Sequence, residues 1–580
     1  SPPGPVLSAG LTSPESLLLT GPNIISYLNG MVSTARFGLN SCDYGFGEVR
    51  WTNGNCYFMK TGDIDPDPFA VGLLNFRPEN ETDVEGVIQE LNILLAAGRL
   101  NENTKDVLRT EYAFHLNTVS SRYALRIAQE LLVTSAEFQV NNLHSPSERD
   151  SGNSVSGQGD REYKALVYIY MNGGMDSFNV LVPNSGCEAG KLDYAQYAEV
   201  RTNVALAQEE LLEIQTDQEQ VCETFGLHPQ LGDIQSLYNQ REVSFFANVG
   251  PLVEPVTKEE FQLNSVRLPL SLFAHNIQTK ATETNVPQST SSTGVIGRIA
   301  DELTAQGYVS GSYSIEGTNS ALVGDPNAPS PPIDFVNAYN GAETFDPYGI
   351  NDRILPAVLN ITSGGNSLFG ETWGRAVHQT IERSDVLNDA LENSELQTSF
   401  PSALDRTNYI AQQLRQVARL ISSRESLGHD RDVFYVRLHG FDAHTNLRSD
   451  LDTLMGYLNS ALRDFVQEMK DQSLWDQVTV LQASEFARTL TSNGEGTDHG
   501  WGGNYFMMSG SLNGRRILGE YPDDIRDDAP LNIGRGRLIP TTAWDAVWNG
   551  VAEWLGVSNL DNILPNRGNF DLFTEADLYD

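Results

Sequence analysis

The chain has 580 residues, 76 of them acidic and 38 basic, for a formal net charge of −38 at pH 7. Such a surface repels nucleic acid and anionic membranes, which excludes both as default partners. A hydrophobic share of 40 % with 9 % aromatics excludes wholesale disorder, and no apolar run reaches the ~18 residues of a membrane span.

Residues 1–140 read as a small, mainly helical domain with a cysteine-bearing loop. Cys42 and Cys56 flank a Gly/Asn/Trp-rich stretch, SCDYGFGEVRWTNGNC. Thr82-Asp83-Val84-Glu85 has the spacing of a capping box, and Val84, Val87, Ile88, Leu91, Leu94 and Leu95 follow at helical period. Gly98 stands where a C-terminal cap belongs. A second helix is predicted from about Ser121 to Phe138, with Ala124, Leu125, Ala128, Leu131 and Leu132 on one face. Residues 141–162, NNLHSPSERDSGNSVSGQGDRE, are polar and rich in Ser and Gly, and read as a linker.

From residue 163 to 580 the rhythm changes to an α/β domain. Four β-prone runs appear: Ala165 to Tyr170, Val243 to Val249, Val433 to Leu438 and Val478 to Leu481. A strong amphipathic helix with Leu451, Leu454, Met455, Leu458, Leu462, Phe465 and Met469 on one face separates the last two. Continuous apolar strands followed by polar turns and helices predict a parallel sheet covered on both faces. The chemistry of such sheets lies beyond the carboxyl ends of the strands. Residues 305–350 and 385–405, rich in Ser, Asn, Gly and Pro, read as long loops. Trp544, Trp548 and Trp554 read as core packing, with a carbohydrate platform as the minor alternative.

Four cysteines fall into two local pairs, which predicts disulfides Cys42–Cys56 and Cys187–Cys222, against an alternative of four buried thiols. Two sequons, at Asn80 and Asn360, are candidate glycosylation sites. The chain opens at Ser1 and shows no signal peptide, which fits a processed, secreted protein.

Polar groups gather at the predicted strand ends. The first strand leads into Asp176 and Ser177, the third into Asp442 and His444, and the fourth into Ser484 and Glu485. A Gly-rich loop follows with Asp498 and His499. Carboxylates suit Ca²⁺, Mg²⁺ and Mn²⁺, and added imidazoles move the balance towards Zn²⁺. Asp176, Asp442, His444, Glu485, Asp498 and His499 are therefore the candidate ligands of a divalent metal. Each alone has a bland reading: a strand-end Asp is often a helix cap, and an Asp-His pair is often a hydrogen-bonded loop pair.

At these residues the sequence resembles the domain-of-unknown-function 1501 family of the alkaline phosphatase/sulfatase superfamily. The carriers run from LVYIYMNGGMDSFNVLVP (166–183) through LHP (227–229), FFANVGPL (245–252), LFAHNIQ (272–278) and TGVIGRIAD (293–301). GFDAH (440–444), SEFARTLTSNGEGTDHGWGG (484–503) and GRLIPTT (536–542) complete the series. LLVTSAEF (131–138) is similar to the tail of the domain-of-unknown-function 1800 family. The resemblance implies an alkaline-phosphatase-like α/β/α sandwich, and enzymes of that superfamily act on phosphate and sulfate esters at one or two metal ions. It likens Asp176 to the metal-touching aspartate of the first strand, and Asp442 and His444 to later ligands.

One departure matters. Where the family usually reads Ser-His-Asn-Asp-Gln, this chain has Ala274-His275-Asn276-Ile277-Gln278. If that Ser is the nucleophile, the usual covalent step is lost. Ser177, Ser271 and His275 remain as candidate catalytic groups. Two readings follow. The favoured one is a secreted, non-catalytic structural or binding descendant that keeps the sheet, with or without the ion, and engages itself or an extracellular matrix partner. The alternative is an extracellular metal-dependent hydrolase of small anionic esters.

Overall fold

The computed structural model describes residues 21–39, 46, 74–140, 161–290, 292–325, 328, 333–339, 341–345, 353–363 and 368–580. Cys42, Cys56 and nearly all of the predicted linker lie outside the described residues. The chain forms two compact units.

One unit is helical. Its helices Gly21–Phe37, Val84–Ala96, Glu102–Thr118 and Ser121–Thr134 surround a core that includes Leu28, Leu91, Leu108, Tyr112, Leu125 and Leu131. Asp83, not Thr82, caps the second helix: its carboxylate accepts from Gly86 N at 3.1 Å, while Thr82 turns back to Asn80 Oδ1 at 2.8 Å. The helix Glu102–Thr118 is absent from the sequence reading because its apolar stripe is thin. Asn101 starts it by accepting from Thr104 N at 2.7 Å.

The helical unit also takes in residues 342–388, which the sequence reading left inside the α/β part. Ile354, Val358 and Ile361, then Trp373, Val377 and Ile381, recur at helical spacing and bury their stripes in the same core. Trp373 Nε1 donates to Thr134 O at 3.1 Å.

The other unit is built on a large sheet of strands β1 (Lys164–Asn172), β2 (Val243–Gly250), β3 (Ser310–Ser314), β4 (Ile333–Asn337), β5 (Arg431–His439), β6 (Val478–Ala483), β7 (Gly503–Met508) and β8 (Arg516–Leu518). Their spatial order is β8-β2-β7-β6-β1-β5-β3-β4. β1 pairs in parallel with β6 and β5, β5 with β3, and β3 with β4. Only β7 runs against its neighbours β6 and β2. All four strands predicted from sequence therefore point the same way, and β7 starts at the edge where they end. Residues Ala165 to Met171 are fully buried, as expected for a central strand covered on both faces. The helix Leu447–Asp471 leads from β5 to β6 and buries Leu451, Met455, Leu458, Leu462, Phe465 and Met469.

The expected class, a mostly parallel central sheet with helices and a helical N-terminal region, is what the structure has. The reading of 305–350 and 385–405 as long loops is corrected. Strands β3 and β4 lie in the first. The helix Leu368–Glu392 enters the second. Trp544, Trp548 and Trp554 are all buried, which fits packing. The Cys187–Cys222 disulfide is formed.

Candidate metal centre

Three chain segments beyond the strand ends and one helix start build the site. After β5 the chain turns through Gly440 to Asp442 and His444. It lies so close to the end of β1 that a Cβ on Gly173 would sit 2.3 Å from Asp442 N. Gly173, at φ 122°, is therefore fixed as glycine by both conformation and space. After β6, Ser484 Oγ donates to Met171 O at 2.6 Å and ties Glu485 to β1. A short antiparallel pair, Arg488–Ser492 with Thr497–His499, brings Asp498 and His499 back to the same edge. The helix His275–Thr284 begins there with His275.

Three imidazoles and one carboxylate converge. His499 Nε2 lies 3.1 Å from His275 Nε2 and 3.1 Å from His444 Nε2. Asp442 Oδ1 lies 3.1 Å from His444 Nε2, 3.4 Å from His275 Nε2 and 3.6 Å from His499 Nε2. A tetrahedral ion with bonds of about 2.0–2.1 Å separates its ligands by roughly 3.3 Å.

The far nitrogen of each ring meets an acceptor. His275 Nδ1 is 2.8 Å from Glu485 Oε1, His444 Nδ1 is 3.2 Å from Asp498 Oδ1, and His499 Nδ1 is 2.7 Å from Phe273 O. A carbonyl only accepts, so His499 carries its proton on Nδ1 and turns the Nε2 lone pair inward. Orienting acceptors of this kind are the regular second layer of metal-binding histidines.

Electrostatics follow from these contacts. The hydrogen bond to Glu485 raises the His275 pKa above its ordinary value, against desolvation. Burial lowers that of His499. Burial pushes the Asp442 carboxyl up, but the Arg488 hydrogen bond and the charges of Arg488, His275 and His444 outweigh it and hold it low. Asp498 is likewise raised by burial, yet held below its usual value by Asn493, Arg535 and His444.

Of the residues singled out from sequence, Asp442, His444 and His499 meet at the centre. Glu485 and Asp498 stand behind the rings they orient. His275, a candidate catalytic group, faces the centre beside them. Asp176 does not reach it. Its carboxylate is buried in an ion pair with Arg201, whose Nη1 also donates to Thr489 O and Leu490 O. Burial raises its pKa in spite of that partner. Ser177 is buried too, and its Oγ accepts from Asn504 N at 2.9 Å. Ala274 is the N-cap of the His275 helix and offers no side-chain cap.

Two contributors were missed. Arg488, fully buried, donates to Asp442 Oδ1 at 2.9 Å and to Gly173 O at 3.0 Å. Its signal in sequence is a second charge in SEFARTL, three positions after Glu485. Phe273 contributes a main-chain carbonyl, which no residue type announces.

The family model described as "Protein of unknown function (DUF1501)" matches residues 337–533. This span holds Asp442, His444, Glu485, Asp498 and His499, while the carriers near 166–301 lie before it. No curated relative matches the chain. Among solved structures, the lipoteichoic acid synthase LtaP from Listeria monocytogenes is similar at 11 % identity, with 71 % of this chain and 78 % of that one covered and a TM-score of 0.28. The C-terminal periplasmic domain of EptC from Escherichia coli, in complex with Zn, is similar at 9 % identity, covering 61 % and 74 %, with a TM-score of 0.25. A 2-O GAG sulfatase is similar at 9 % identity, covering 69 % and 72 %, with a TM-score of 0.26. The family model that matches residues 337–533 is that of the family the sequence motifs resemble.

Proposed function

We propose that this is a secreted protein that holds one divalent metal ion of the zinc class and has lost the covalent ester-cleaving step. The observation that carries the reading is that His275, Asp442 and His499 offer ligand atoms all within 4.8 Å of one another, with His444 Nε2 3.1 Å from Asp442 Oδ1 and every Nδ1 engaged by an acceptor. Three nitrogen donors fit Zn²⁺ better than Ca²⁺ or Mg²⁺, which prefer oxygen. With His444 as the fourth ligand the coordination would be filled by protein groups, the pattern of structural metal. Ala274 leaves the helix start beside His275 without a hydroxyl.

Secretion is supported by the Cys187–Cys222 disulfide and by the exposure of both sequon asparagines, Asn80 and Asn360. Among the described residues no helix is long and apolar enough to cross a membrane. A role in self-assembly or extracellular matrix contact accords with these features.

The experiment is elemental analysis of the purified chain after dialysis against metal-free buffer. Near one zinc per chain, lost in His275→Asn and His499→Asn, is the expected result. No retained metal, and no saturable zinc uptake by titration, overturns the reading.

One observation favours hydrolysis as a second reading. The Asp442 side chain is 52 % exposed and that of His444 44 %, so the centre opens to solvent on their side. When bound, a metal there would act as a Lewis acid and lower the pKa of a coordinated water. Glu485 and Asp498 would keep His275 and His444 oriented. Turnover of phosphate or sulfate esters by the zinc-loaded chain, lost in Asp442→Asn, selects this reading.

A further inference from the structure

Phe273 has a conformation that its side chain does not favour. Its φ is 73°, and that of Ser271 two residues earlier is 43°. Bulky L-residues rarely enter this left-handed region, and such outliers persist where the surroundings enforce them. The Phe273 carbonyl accepts the Nδ1–H of His499 at 2.7 Å. Its ring lies under the Arg537 guanidinium, 4.5 Å from carbon to centroid. Arg537 Nε in turn donates to His499 O at 3.0 Å. His499 is thus gripped twice, through its ring and through its main chain. The Phe486 ring also stacks on it at 4.9 Å and 27°.

We infer that Phe273 is a positioning residue for His499. Its left-handed backbone aims the carbonyl at Nδ1, and the stack with Arg537 keeps the backbone there. Glycine would take the same φ without strain, but it would neither anchor Arg537 nor stay in one conformation. The ring explains why phenylalanine occupies a position that suits glycine. The consequence for a metal rests on the proposed centre; the fixing of the tautomer does not.

The test uses the full chain labelled with ¹⁵N-histidine, metal-free at pH 8. Wild type is expected to show His499 in the neutral form protonated on Nδ1. Phe273→Gly shifts it to a mixture of tautomers, and Phe273→Tyr, which keeps the stack, restores the wild-type signal. Arg537→Gln removes the stack while leaving residue 273 itself unchanged and gives the same mixture, a second route should the glycine variant fold poorly. Titrated with zinc, Phe273→Gly and Arg537→Gln bind about tenfold more weakly, and Phe273→Tyr binds like wild type. A His499 tautomer and zinc affinity unchanged in both Phe273→Gly and Arg537→Gln overturn the inference while leaving the metal reading intact. A wild type that takes up no zinc, yet shows the tautomer shift in the variants, overturns the metal reading and leaves Phe273 as the positioning residue.

Discussion

Arg488 Nη1 donates to Asp442 Oδ1 at 2.9 Å, and that same oxygen lies 3.1 Å from His444 Nε2. A permanent, fully buried cation therefore shares an oxygen with the group of His275, His444 and His499. It balances Asp442 when no ion is present, and its hold on Gly173 O keeps the β1 end against the β5 end.

Arg488→Met should consequently lower stability by about 2 kcal/mol, because it leaves buried Gly173 O without its donor and the half-exposed Asp442 without its cation. Thermal unfolding in chelator reads this directly. Zinc should then raise the midpoint of the variant more than that of wild type, because the ion supplies the missing positive charge and stabilises by mass action. An equal zinc shift in both proteins would show that Arg488 and the ion do not share the Asp442 charge.

Much of this was legible in the sequence, for physical reasons. Runs such as Ala165 to Tyr170 have no polar face, so they specify a central strand whatever surrounds them. Strand direction then places Asp442, Glu485 and His499 on one edge. Separating ligands from supports was not possible, since Glu485 and Asp498 have the same chemistry as Asp442 and differ only in which atom they face. Asp176 misled for a related reason: a strand-end carboxylate invites a cation, and here the cation is Arg201, 25 residues away in sequence. The membership of residues 342–388 in the helical unit was hidden because apolar helical stripes name no partner.

Ala274 caps the helix that starts with His275, and nothing on its side chain accepts from the first turn. Ala274→Ser adds that acceptor and should stabilise the chain by about 1 kcal/mol. The check is the denaturant midpoint at unchanged slope. The zinc-loaded wild type should form no covalent adduct with an activated phosphate ester, as read by intact mass. An adduct on wild type would mean that another residue supplies the nucleophile.

The Cys187–Cys222 disulfide closes a loop of 35 residues that contains Arg201. Restricting the unfolded chain over that length contributes roughly 3–4 kcal/mol. The double variant Cys187→Ala/Cys222→Ala should lose about that much in guanidinium unfolding. Loss of less than a third of this amount would mean that the ion pair of Arg201 with Asp176 and the surrounding strands hold the segment without the crosslink.

Asp545 gives the chain a pH response away from the metal centre. It is buried in the first turn of the helix Trp544–Leu555, beside Asn285 and within the field of Arg298. Desolvation pushes its pKa up to about 7, and the nearby Asn285 amide and the charge of Arg298 offset it only in part. In the unfolded chain the group ionises near the ordinary value of about 3.9. Between these values the folded state keeps a proton that the unfolded state has released. Its contribution is therefore complete at low pH and is lost as pH rises towards 7, by about 1.4 kcal/mol per unit. Asp545→Asn keeps the neutral shape at every pH. It should match wild type near pH 4, exceed it progressively up to pH 7, and hold a constant margin above. Parallel stability curves for the two proteins from pH 4 to 8 would show that Asp545 is ionised in the folded state throughout.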